Sequence, residues 1–129
     1  MNLSEKAGII DANLILSASV TKTADFTTAT PIKLPASLNG QLKALVNVTA
    51  ITFDDGDETY HFAVEKSASS GGTFEEVGSR YFSSGVVDDV GIYSIPFIAD
   101  ADKPYVKITL DVAGTTPSVT FESYVTRGF

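Results

Sequence analysis

Clustered carboxylates are the strongest chemical signal in this chain of 129 residues. Asp54-Asp55-Gly56-Asp57-Glu58 groups four acids within five residues, and oxygens gathered in this way suit a hard cation such as calcium. Asp54, Asp55 and Asp57 are the candidate ligands. The spacing differs from the calcium loop of helix-loop-helix proteins, where acids alternate, a glycine makes the sharp turn and a distant glutamate closes the shell. Here the acids are contiguous around Gly56, so the competing reading is a hairpin turn on Asp55-Gly56, a favoured turn pair. The one histidine, His61, is of the right type for a general base or a metal ligand. No second ligand stands beside it in sequence, so it reads as a surface residue. Nucleophile-elbow, phosphate-loop and zinc-ligand spacings are all missing. The chain therefore reads as non-enzymatic, with no cofactor. Tyr81, Tyr93 and Tyr124 are candidates for a sugar-binding face, in a chain without tryptophan.

The elements that must position these residues read as strands. In Tyr60-His61-Phe62-Ala63-Val64-Glu65-Lys66 a period of two puts Tyr60, Phe62 and Val64 on one face and His61 and Glu65 on the other. Residues 67–72 (SASSGG) form a turn, and the chain resumes as a strand from Thr73 towards Arg80. A connection this short makes the two strands antiparallel neighbours. Glu75 and Glu76, adjacent in sequence, break the alternation and predict a bulge or a sheet edge. Further strands are predicted over residues 13–20, 42–53, 91–97, 105–112 and 118–126. The 42–53 run is apolar on both faces and reads as central, whereas Pro96 puts 91–97 at an edge. Residues 21–35, with Thr30-Pro31 and Leu34-Pro35, read as a long connection or an edge. Residues 81–89 read as a loop, as do the acids Asp88-Asp89 and Asp100/Asp102. The one helix candidate is a turn near residues 4–9.

About seven to eight strands with regular turns give an all-β fold: a single antiparallel, jelly-roll-like β-sandwich over residues 13–129, with an N-terminal arm at 1–12. The chain is long enough to bury roughly two-thirds of its unfolded surface without staples, and it contains no cysteine. Its beginning does not read as a signal peptide, and no apolar run approaches the length needed to span a bilayer. The net charge of −7 is uneven: +1 over residues 1–53 and −8 over 54–129. An acidic body argues against nucleic-acid binding, where basic patches neutralise phosphates.

With the strands placed, the chain resembles the small jelly-roll cement (decoration) proteins of tailed bacteriophage capsids. Asp11-Ala12-Asn13-Leu14-Ile15-Leu16-Ser17 looks like that family's opening strand, followed by the Ala/Thr-rich stretch 19–30. The hairpin entered through residues 60–67, then Tyr105-Val106-Lys107-Ile108 and Thr120-Phe121-Glu122-Ser123-Tyr124, are similar to its later strands. The resemblance implies a homotrimer on the outer capsid surface, bound to the phage major capsid protein and bridging capsomers, assembled in the host cytoplasm. A cysteine-free chain suits that reducing compartment. Interface candidates under this reading are Gly8, Ile9, Ile10, Asp11, Asn13, Lys22 and Lys33. The rivals are a β-domain of a phage tail or fibre, and a carbohydrate-binding β-sandwich module assisted by calcium at the acidic loop.

Overall fold

The computed structural model describes residues 14–28, 30–35, 40–84 and 90–127. Nine strands follow in order: β1 (Ile15–Lys22), β2 (Phe26–Thr27), β3 (Ile32–Lys33), β4 (Gly40–Ile51), β5 (Thr59–Ser67), β6 (Glu75–Ser83), β7 (Gly91–Ala99), β8 (Tyr105–Ala113) and β9 (Val119–Arg127). They build two antiparallel sheets, β1-β9-β4-β7 and β2-β8-β5-β6, with β3 also on β8. Phe26 pairs with Leu110 and Ile32 with Val106, so β2 and β3 are two pieces of one interrupted edge strand. Residues 1–13, which hold the expected arm and the helix candidate, lie outside the described residues.

The pairing is nested. β5 pairs with β6, β4 with β7, β2 and β3 with β8, and β1 with β9. The chain is one long hairpin bent at residues 68–74, then rolled so that β9 meets β4 and β8 meets β5. That winding is a jelly roll, eight strands when β2 and β3 count as one.

Burial of apolar side chains between the sheets holds the roll together. Tyr60, Phe62, Val64, Ile108 and Leu110 from one sheet meet Val46, Val48, Phe121 and Val125 from the other, all buried. Phe62 lies edge-on to both Phe82 and Phe121, at ring-centroid distances of 5.8 and 4.9 Å. Thr28 bridges the two sheets beside β1: its hydroxyl lies 3.1 Å from the carbonyls of Leu16 and Ile108 and from the Ile108 N–H.

Two sequence expectations are corrected. Tyr81, Phe82 and Ser83 belong to β6 rather than to a loop, and Phe82 is fully buried. The acidic segment is not a hairpin turn, because β4 and β5 lie in different sheets. Each strand finds its partners elsewhere, so residues 52–58 cross from one sheet to the other. A turn closed by the Gly56 N–H on the Phe53 carbonyl (3.1 Å) sits within that crossing. Other expectations hold: β4 is central in its sheet, β7 is an edge, and β6 is an edge with a bulge opposite Val64 and Glu65.

The edge at β7 is blunted around residues 95–98 by specific contacts. Pro96 has no N–H to offer, and the Lys66 ammonium donates to the Ile98 carbonyl (3.2 Å). Gly78 of β6 comes so near that a Cβ there would lie 2.8 Å from both the Pro96 carbonyl oxygen and the Ile95 side chain.

Candidate functional site

The β4–β5 crossing (52–58) and the β8–β9 connection (114–118) meet at one end of the roll, 58 to 61 residues apart in sequence. Carboxylates from the first accept hydrogen bonds from threonines of the second. Asp57 takes the Thr115 N–H at 3.1 Å and the Thr115 hydroxyl at 2.7 Å. Asp55 accepts from the Thr116 hydroxyl. Glu58, fully buried, accepts from the Thr116 N–H at 3.2 Å and from the Asp55 N–H at 3.1 Å. Tyr60 extends the junction inward: its hydroxyl donates to the Thr52 carbonyl (2.6 Å) and accepts from the Ser118 N–H (2.9 Å).

Local sequence explains why the two connections can approach. Gly114 has φ +112°. A Cβ there would sit 2.6 Å from the Glu58 Cα and 2.8 Å from the Asp57 carbonyl oxygen. A residue without a Cβ is required on both counts. Thr115 and Thr116 then point their N–H groups and hydroxyls at the acids.

Ligand oxygens of Asp55, Asp57 and Glu58 lie within 4.8 Å of one another. Three carboxylates at that spacing are the residues that could hold a hard cation. Asp54, expected among them, is exposed and outside the group, and Glu58 stands in its place. In the arrangement described, every one of the three is hydrogen-bonded to a neutral donor. The group therefore works as a latch joining two connections. The Thr115 hydroxyl, and after it the Thr115 N–H, hold the Asp57 carboxyl below the usual carboxylate range. Beside the latch an open groove runs past Thr23, Ala24, Asp25, Gly114 and Pro117. Asp25 spends a carboxylate oxygen there on the Val112 N–H (2.9 Å).

The other sequence candidates are dispersed. Gly8, Ile9, Ile10, Asp11 and Asn13 fall outside the described residues, as do Asp88 and Asp89. Lys22 lies 4.8 Å over the Phe26 ring, and Lys33 5.8 Å over the Tyr105 ring. Lys22 pairs with Val119 near the latch and Lys33 with Tyr105 at the opposite end, so the two lysines share no patch. Asp100 caps its own turn, accepting from the Asp102 N–H (3.0 Å). Of the three tyrosines, Tyr124 is buried, which pushes its phenol pKa up, and Tyr93 packs edge-on against Phe82. Tyr81 remains exposed on the outer face of β6, beside His61.

Sequence reasoning found the acids and missed their partners. The available signal was Gly114-Thr115-Thr116-Pro117, a turn rich in donors; nothing in the sequence ties it to residues 55–58. No protein-family model matches this chain, and no curated protein matches its sequence.

Proposed function

We propose that this chain is a structural binding protein of a virion, a capsid cement protein that seats on the outer surface of a phage shell and bridges capsomers. The observation that carries this reading is the composition of one sheet face. On β9, β4 and β7 the residues turned away from the core include just two charged ones, Lys43 and Glu122, in a chain of net charge −7. Glu122 is already held by the Asn47 amide (3.1 Å). The same face exposes Ile92 (58%) and Ile98 (59%) with Pro96 between them, and Ile15 stands across it on β1. A face depleted of charge and carrying exposed branched side chains has the make-up of an interface core. A rigid jelly roll offers that face without reorganising, so little ordering entropy opposes docking. Assembly as a homotrimer would multiply modest contacts into avidity.

The test is co-sedimentation of the full chain with shells assembled from the major capsid protein of the same virus. Wild-type protein is expected to saturate the shells, and Ile92→Asp with Ile98→Asp to abolish binding at an unchanged melting temperature. A monomer that stays in the supernatant at every shell concentration would overturn the reading.

A further inference from the structure

The opposite face of the roll is built differently. Across β6, β5 and β8 the residues Tyr81, His61 and Asp111 stand in one register row on the outside of the β2-β8-β5-β6 sheet. Strand spacing makes this row about 10 Å long. Tyr81 is 52% exposed, and its ring lies 6.2 Å from the His61 ring, tilted by 55°. Asp111 is exposed and holds no ion pair among the described residues. The neighbouring rows are low: Ser83, Thr59 and Ala113 on one side, Ser79, Ala63 and Thr109 on the other. Three larger side chains thus rise from a floor of hydroxyls and methyls.

We propose that this row is a shallow saccharide-binding platform. An exposed phenol ring offers an apolar face to the C–H side of a pyranose. The Asp111 carboxylate accepts hydroxyl protons, the imidazole of His61 both donates and accepts, and the flanking Ser and Thr hydroxyls do either. Anionic ligands are disfavoured by Asp111 and by the net charge. A cationic peptide would meet one unpaired carboxylate on this row, whereas a neutral polyol finds acceptors and donors on both flanks. The ring pair alone would serve as a cross-strand contact; the half-exposed phenol and the unpaired carboxylate in line with it are what a ligand would use. This inference is independent of what docks on the other sheet.

The experiment is a titration of the ¹⁵N-labelled full chain with maltotriose, cellotriose and chitotriose, followed by amide shifts. Saturable shifts confined to β5, β6 and β8 around His61 are expected for at least one sugar. Tyr81→Ala should weaken that binding roughly tenfold, the size of one aromatic contact. Asp111→Asn should weaken it with the phenol intact, and both variants should keep the wild-type melting temperature. No saturable shift with any of the three sugars, shifts insensitive to both substitutions, or a response to tetralysine in place of the sugars would overturn the proposal.

Discussion

The latch end of the roll and the end opposite it are fastened by different forces. At the latch, Asp55, Asp57 and Glu58 are held by N–H and hydroxyl donors of Thr115 and Thr116, none of them charged. At the other end, where residues 68–74 and 100–104 lie, the fastening is ionic: Lys103 reaches Glu75 at 2.6 Å. Lys107 stands 3.8 Å from Glu65 nearby. Both partners of the Lys103–Glu75 pair are substantially exposed, and exposed pairs add little to stability. Glu58 is fully buried, and removing it takes the shared acceptor from the Asp55 and Thr116 N–H groups. The comparison teaches that charge count is a poor guide to how an acidic chain is held: at the end with the denser acids they are held by neutral donors.

The largest break of this contrast is Gly114→Ala. The added methyl meets backbone atoms of residues 57 and 58 in a conformation that side chains avoid, and a cost of about 3 kcal/mol is expected from overlap and backbone strain together. Gly56→Ala is the control: with φ +77° and nothing within 4 Å, it should cost about 1 kcal/mol. Urea unfolding of the two variants measures the gap, and equal losses would refute the tight approach of the two connections.

Glu58→Ala ranks next. It removes the acceptor of the Asp55 and Thr116 N–H groups and empties a fully buried position, at about 2 kcal/mol. Lys103→Ala should leave the unfolding midpoint within error of wild type. If the two substitutions destabilise equally, the distinction between the ends is wrong.

The smallest effect sharpens the comparison. Asp57 and Glu75 are both held below their ordinary pKa, Asp57 by neutral Thr115 donors and Glu75 by the hydrogen bond and charge of Lys103. A depressed carboxylate contributes stability above its unfolded pKa and loses it as pH falls through the folded value. For both residues that window lies below the model-peptide values of 3.8 and 4.5. Salt screens an exposed ion pair far more than a hydrogen bond between neutral and charged groups. Carboxyl NMR titrations at low and high salt should therefore show the Glu75 value rising and the Asp57 value holding. Equal movement of the two would count against the assignment of forces.

Much of the fold was readable where inward positions carry large apolar side chains. Tyr60, Phe62 and Val64, then Val106, Ile108 and Leu110, announce their strands. The last three residues of β6 were missed because its core-facing positions after the bulge are Gly78, Arg80 and Phe82. One is empty so that β7 can approach, and another lays its guanidinium 4.9 Å over the Tyr93 ring. Alternation therefore leaves little trace. The acids of the latch were legible and the latch was not, because its donors arrive from the far side of the nested hairpin. No local rule pairs residue 58 with residue 116. The sheet crossing at 52–58 was hidden by Asp55-Gly56, a turn pair that forms a turn here without forming a hairpin.

The blunted rim beside Pro96 has a consequence for how this molecule can be recognised. β6 carries a bulge and two glutamates, β2 and β3 are two residues each, and β1 is irregular in register. The longest regular margin among the described strands, β7, is interrupted by Pro96, so main-chain addition of another chain to either sheet is disfavoured. A partner is then expected to read the broad sides, where identity is written in side chains. Affinity can then be retuned one substitution at a time, with the framework beneath left as it is.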